Sequence, residues 1–326
     1  MEYEFDKYKC SVDKIKEKLN EYGVAIIPNL LDDNECQEMN DNIWDFFEHI
    51  SQNWKGNFSP INRNNKNSWN NLFHLNPIHY QLYKSYSIGH CQASWNVRQN
   101  PKVVSTFAKI WDCNMEDLLV SFDALSFCLP PELTGIGWEK ENNSWFHTDQ
   151  SYLRNDFECV QSWITANDAN EGDATLAVME GSHRYHEEFG DKYNIDDIND
   201  FYRLNEEEEE FYSNKKCEYK KIKCPKGSLV LWDSRTIHYG TNPMRNRKNK
   251  STRAIIYLCY MPRYLCSEVQ YNRKLHALNN MYTTTHWPCN IVYSPNEPIS
   301  FGGSTPGYTP IPKPILTDLG MKIAGL

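Results

Sequence analysis

Basic charge is in short supply in this chain. Lys and Arg number 34 against 43 Asp and Glu, a net charge of -9. A protein that grips a nucleic-acid backbone needs the opposite balance, so a nucleic-acid partner is not expected. No two cysteines stand as Cys-X-X-Cys. Cys217 and Cys224, like Cys259 and Cys266, lie seven apart, which suits no zinc knuckle. The cysteines are scattered and odd in number, 11 in all, as expected of reduced thiols in the cytoplasm. No apolar run is long enough for a bilayer, so no membrane partner is expected. The opening residues 1–5 lack the charged-then-apolar pattern of a secretory leader. There is no internal repeat.

What is present is globular: 40% hydrophobic and 24% charged residues, with 10 Trp and 20 Tyr. Aromatic side chains in that number fit a β-rich core or an aromatic-lined pocket. The length allows one large catalytic domain, taken as 1–326, or two ordinary ones. Val12, Ile15, Leu19 and Tyr22 recur at helical steps before Gly23, which ends a short helix. A strand over 24–28 follows, then a helix over about 32–50, capped by Asp32 or Asp33, with Cys36, Met39, Ile43, Phe46, Phe47 and Ile50 on its apolar face. Residues 51–71 read as a long Asn-rich loop, and 77–112 as mostly helical, which makes the first 115 or so residues a helical part.

The pattern then changes. Residues 118–128 alternate as one strand ended by Pro130-Pro131. Further strands are expected over 145–149, 158–166, 174–179, 218–223, 228–232 and 253–261, separated by turn signals such as Glu180-Gly181-Ser182 and Pro225-Lys226-Gly227. The strand-rich core would span about 116–264. Within it 187–214 is acidic and reads as a surface insertion whose run Glu206 to Glu210 is a solvated face. A helix through about 280 and a Pro- and Gly-rich tail complete 265–326. Many short strands after grouped helices suggest a sandwich or small barrel with helical buttresses.

Three residues carry chemistry. His147 and Asp149 stand two apart in an extended stretch, so they share a face. They are two of the three ligands of a 2-His-1-carboxylate Fe(II) site. A third is offered by His238, which follows the apolar strand 228–232 and the turn Asp233-Ser234-Arg235. Asp233 is too close along the chain to be aimed independently and reads as a residue that fixes the turn. Arg253 opens the next apolar strand. A buried cation needs a partner, and a dicarboxylate cosubstrate would take its guanidinium fork.

His-X-Asp, a distal His and then an Arg at the next strand start is the order found in 2-oxoglutarate/Fe(II) oxygenases. More narrowly, the chain resembles the phytanoyl-CoA dioxygenase (PhyH-like) family from about 13 to 265. The matching pieces are Tyr22-Gly23-Val24-Ala25-Ile26-Ile27-Pro28, His147-Thr148-Asp149-Gln150-Ser151, Val160-Gln161-Ser162-Trp163, Ala177-Val178-Met179-Glu180-Gly181-Ser182-His183, and above all Gly227-Ser228-Leu229-Val230-Leu231-Trp232-Asp233-Ser234-Arg235-Thr236-Ile237-His238. The resemblance implies an α+β, mainly β fold: a double-stranded β-helix (jelly roll, cupin-like) core with N-terminal and C-terminal helical buttresses. It implies Fe(II) held by His147, Asp149 and His238, with 2-oxoglutarate as cosubstrate on Arg253 and Thr241 as a hydrogen-bonding candidate. It implies O2 and a small-molecule substrate, with hydroxylation giving succinate and CO2. The gap from His238 to Arg253 is longer than the family's usual one, through the basic turn 244–250, so Arg245 and Arg247 stand as alternative anchors. That turn otherwise reads as a solvated loop, or as a receiver for an acidic part of the substrate.

Other histidines read as structural: His183 in a turn, His186 at the surface, and His74, His79 and His90 in packing or substrate contact. Trp145, Tyr152 and Trp163 read as core or pocket wall. His286 and Trp287 read as a lid or as tail packing. Two other function classes stay open on sequence, an inactive barrel that binds a ligand or partner and a metal hydrolase or isomerase of cupin type. The sequence is silent on the oligomeric state.

Overall fold

The alternation of the second half of the chain builds two sheets. The computed structural model describes residues 2–56, 58–76, 81–140, 144–298 and 305–326. Its strands are β1 Glu2–Glu4, β2 Val24–Ile27, β3 Leu82–Tyr83, β4 Leu118–Val120, β5 Leu125–Cys128, β6 His147–Thr148, β7 Val160–Thr165, β8 Leu176–Met179, β9 Tyr202–Arg203, β10 Tyr219–Ile222, β11 Leu229–Asp233, β12 His238–Gly240 and β13 Arg253–Pro262. One sheet has the order β1-β10-β8-β12-β6-β9. The other has the order β2-β11-β7-β13-β5-β3, with β4 beside the far end of β13.

The second sheet is buried on both faces. Val160 and Ile164 of β7, Leu229 and Leu231 of β11, and Ala254, Ile256 and Leu258 of β13 pack against the N-terminal helices. Trp163, Val230, Trp232 and Ile255 point the other way and meet Leu176 and Val178 of the first sheet. Period-two alternation therefore sends every second residue of β7 and β13 between the sheets, where the site lies. The helix Asp33–Ser51 starts on a capping box of Asp32 and Glu35. All six residues expected on its apolar face are buried. The first helix, Ile15–Tyr22, ends at Gly23 with φ 76°, a left-handed cap that glycine adopts without strain.

Several expectations need correction. Residues 118–128 form two strands, not one. Val120 pairs with Tyr260 and Leu125 with Ile256, so the β4–β5 side holds one residue more than β13, which is a bulge. The stretch 145–149 is regular over His147–Thr148 alone. The segment 77–112 becomes helical at Gln92–Arg98 and Pro101–Trp111, preceded by β3 and the short 3-10 turn Ile88–His90; 77–80, with His79, lie outside the described residues. The Asn-rich loop closes in a 3-10 helix, Lys66–Asn71.

The acidic segment does more than cover the surface. It folds as the helix His186–Tyr193, β9, and the helix Glu206–Asn214, and β9 pairs with β6 at His147↔Arg203. Phe189, Phe211 and Tyr212 are buried there. Within the acidic run Glu206, Glu207 and Glu210 are exposed, but Glu208 is buried and accepts the Tyr202 hydroxyl at 2.6 Å. The basic turn is not wholly solvated either. The Arg247 side chain is fully buried and pairs with Glu132 and Asp173 at 2.8 and 2.6 Å.

Candidate metal centre

Two short antiparallel strands bring the histidines together. His238 of β12 stands directly opposite His147 of β6, and the rings are 4.4 Å apart. The Nδ1 of each ring faces a backbone carbonyl, His147 to Trp145 at 3.1 Å and His238 to Thr236 at 2.9 Å. A carbonyl can only accept, so Nδ1 carries the proton and Nε2 presents its lone pair. Trp145 stacks flat on His147, 4.7 Å away and inclined by 9°, and Phe201 covers its side at 4.9 Å.

Asp149 completes the set. Its Oδ2 lies 3.7 Å from His147 Nε2 and 3.4 Å from His238 Nε2, and the three ligand atoms fall within 4.8 Å of one another. The backbone N–H of Asp149 donates to the Ser234 carbonyl, and so does the Thr148 hydroxyl. The turn after β11 thus fixes the carboxylate. Asp233 shapes that turn, as its position suggested, by accepting from the Arg235 backbone and guanidinium. Gln161 of β7 donates Nε2 to Asp149 Oδ2 at 3.1 Å.

Burial alone would raise the Asp149 carboxyl, but whenever the imidazoles of His147 and His238 take up a second proton they hold it well below the usual carboxylate range, a role that passes to a cation when the imidazoles are neutral. Burial lowers His238, His147 lowers it further, and Asp149 offsets part of this. Two neutral imidazole nitrogens and one ionised oxygen aimed at one point fit a divalent transition metal that keeps open positions. Among the described residues no other group of three such ligands comes together.

Arg253 is 8% exposed. Its Nε donates to Ser126 Oγ at 3.0 Å and its Nη1 to the Ala174 carbonyl at 2.8 Å. It sits 5.7 Å from the Trp163 ring, with the Tyr257 hydroxyl beside it. Among the described residues no carboxylate pairs with it. Arg247 has two carboxylates, and Arg245 lies over the Trp138 ring at 5.1 Å. The Thr241 hydroxyl is engaged with the backbone of Thr175, accepting from its N–H at 3.0 Å and donating to its carbonyl at 3.3 Å.

His183 is structural, its Nε2 on the Asn20 carbonyl. His186 is not at the surface: it is 1% exposed, stacked on Tyr152 and bonded to the Ser151 carbonyl. His90 packs between Trp95 and Phe122, and His74 against Phe58. The tail does fold back, with Trp287 buried among Leu119, Cys159, Cys259 and Met261. Sequence reasoning missed Gln161, Ser126 and Tyr257. The signal was available: each is a polar residue at an alternate position of an otherwise apolar strand.

All 11 cysteines are free. No helix among the described residues is long and apolar enough to cross a membrane.

The model of the phytanoyl-CoA dioxygenase (PhyH) family matches residues 19–251, a span that includes His147, Asp149 and His238 and stops just before Arg253. A curated relative, "Ava biosynthesis cluster protein O" of Aspergillus versicolor, is 27% identical over 224 residues, covering 65% of this chain and 69% of its own. Among solved structures, a putative oxidoreductase from Salmonella typhimurium LT2 aligns with a TM-score of 0.56 at 12% identity, over 96% of this chain and 82% of that one. GlcNAc Inducible Gene 2 of Candida albicans aligns with a TM-score of 0.54 at 14% identity, over 83% and 70%. At such identities these structures speak for the fold alone. The family match covers well over half of the sequence, and this chain belongs to the phytanoyl-CoA dioxygenase family.

Proposed function

We propose that the protein is an Fe(II)- and 2-oxoglutarate-dependent dioxygenase that hydroxylates a small-molecule substrate, giving succinate and CO2. The observation that carries this reading is the convergence of His147, Asp149 and His238 on one point. Alongside it stands Arg253, a buried guanidinium without a protein carboxylate. In this reading the two sheets are the halves of a jelly roll, buttressed by the N-terminal helices and by Glu268–Asn280 with the tail, all within one domain, 1–326. The free thiols agree with a cytoplasmic setting.

The ion, when bound, supplies dioxygen activation coupled to decarboxylation of 2-oxoglutarate. The protein supplies geometry. His147, Asp149 and His238 would hold the ion through two imidazole nitrogens and one carboxylate oxygen. Trp145 and the two backbone carbonyls fix the rings, and Gln161 fixes the carboxylate. Arg253 grips the far carboxylate of 2-oxoglutarate, its guanidinium aimed by Ser126 and Ala174. Thr241 holds the end of β12 through Thr175 and acts on the cosubstrate only through that strand.

The test is succinate formation from 2-oxoglutarate. It should require added Fe(II) and vanish in His147→Ala and in Asp149→Ala. Turnover that persisted in both variants would refute the ligand assignment.

A further inference from the structure

We propose that Cys266 and Cys289 form a redox-modification site: a peroxide oxidises Cys266, and Cys289 closes on it in a disulfide that ties the tail to the start of the helix Glu268–Asn280. The site is separate from the candidate metal centre and needs no ion.

Four of the 11 free thiols gather at one apolar cluster. Cys159, Cys259 and Cys289 belong to it together with Trp287, and Cys266 packs against it beside Tyr271. Cys266 directly precedes Ser267, the N-cap of the 13-residue helix Glu268–Asn280, and its backbone N–H donates to the Arg263 carbonyl at 3.0 Å. The tail is pinned to the first turn of the same helix, where Ile291 N donates to the Gln270 side chain at 2.8 Å. Gln270, Tyr271 and Lys274 share one face of the helix, so the turn that holds Ile291 also brings Cys289 against Cys266. Lys274 adds a cation on that face. It is 0% exposed, donates to the Val120 carbonyl and lies 4.0 Å from the Phe122 ring, and no carboxylate among the described residues pairs with it.

The pair divides the chemistry. Four thiols are partly exposed, Cys10, Cys113, Cys128 and Cys266. Burial pushes the first three up, whereas the Cys289 S–H, hydrogen-bonded to Cys266, pulls Cys266 down to about 7, with Lys274 and Arg263 helping. Cys289 is raised by the same bond and by its burial. Cys266 is therefore the thiolate that an oxidant meets, and Cys289 holds the proton. The Cys266 sulfur attacks one peroxide oxygen: an S–O bond forms, the O–O bond breaks, and hydroxide leaves as water after taking a proton. Cys289 sulfur then attacks Cys266 sulfur: the S–S bond forms, the S–O bond breaks, and the departing hydroxide takes the Cys289 proton. Two thiols give up two electrons, and the peroxide becomes two waters. Cys159 and Cys259, with Sγ atoms 3.1 Å apart, are a second pair, but both are 0% exposed, and buried thiols are inert.

The experiment treats the reduced full-length protein with hydrogen peroxide in the presence of a chelator, blocks the remaining thiols with N-ethylmaleimide and maps tryptic peptides by mass spectrometry. Trypsin cuts after Arg273 and Lys274, so the two cysteines fall on different peptides. A Cys266–Cys289 link should appear before any other and revert with dithiothreitol. Cys289→Ser should leave Cys266 as a sulfenic acid that dimedone captures. In untreated protein at neutral pH, iodoacetamide should reach Cys266 at least about tenfold faster than Cys10, Cys113 or Cys128. Amide exchange over 283–291 should slow once the link has formed. A Cys159–Cys259 link forming first, no link at all, or Cys266 alkylated no faster than the other three would overturn the assignment, and unchanged exchange would overturn the tie between tail and helix.

Discussion

Replacing Arg253 by lysine separates anchoring of the cosubstrate from charge alone. The guanidinium is locked by Ser126 Oγ at 3.0 Å and the Ala174 carbonyl at 2.8 Å, which leaves its Nη2 edge for a carboxylate. Lysine keeps the charge but cannot hold both locks and a bidentate ligand at once. Losing one charge-assisted hydrogen bond costs about 1.5–3 kcal/mol, which is about ten- to hundred-fold in 2-oxoglutarate affinity. Initial rates of succinate release across a range of 2-oxoglutarate concentrations should therefore show KM raised by that factor, with kcat nearly unchanged. Arg253→Met should abolish saturation without lowering the melting temperature appreciably, because it also removes a buried cation. A folded Arg253→Lys variant with unchanged KM would eliminate Arg253 as the anchor and return the question to Arg245.

Arg247→Ala should destabilise the fold by about 3 kcal/mol, since it leaves the buried Asp173 and the partly buried Glu132 without their cation; chemical denaturation would show this, and 2-oxoglutarate KM should not move. Stability should fall with acid below about pH 6.5. Burial pushes His186 down to about 4 and His90 down to about 3, so between these values and 6.5 the unfolded chain binds protons that the folded one refuses, and stability rises with pH. From pH 7.5 to 5 each histidine removes about 2 kcal/mol. His186→Phe, which keeps the stack on Tyr152, should reduce the loss by about 2 kcal/mol in urea melts at the two pH values; an equal loss in the variant would show that His186 is not an acid-sensitive group.

The three side chains that converge, His147, Asp149 and His238, were legible as candidates because their signals are local. Two residues apart in a strand share a face whatever the strand pairs with, and an apolar strand leading to a histidine can be read from one segment. Arg253 was legible as a lone charge opening a buried strand. What escaped depends on register. Gln161 meets Asp149 because β7 lies beside β11 at Gln161↔Trp232, just before the turn that holds Asp149, and Ser126 meets Arg253 because β5 flanks β13 at Ser126↔Ile255. The one-residue mismatch that turned a single expected strand into β4, a bulge and β5 is invisible until β13 lies alongside. Arg247 looked like a solvated turn because the carboxylates that bury it are 115 and 74 residues away. The acidic segment read as surface because composition reports its exposed glutamates and not the helix spacing that buries Phe211 and Tyr212.

That acidic segment and the tail are joined to one another, chiefly through one residue. Arg154, five positions after Asp149, pairs with Asp200 of the acidic segment and with Glu158, and its guanidinium stacks on Trp287 of the tail. Asn290 of the tail reaches Asp200 as well, and Phe201, the residue after Asp200, lies on His147. The three candidate ligands thus stand on or beside the first sheet, with Gln161 of the second behind Asp149, while the acidic segment and the tail are held to one another across Arg154. Arg154→Ala should accordingly loosen the acidic segment and the tail, seen as faster amide exchange there, while Mn(II) affinity in calorimetry stays near wild type, because the Nδ1 atoms of His147 and His238 are fixed by the carbonyls of Trp145 and Thr236 and owe nothing to the tail.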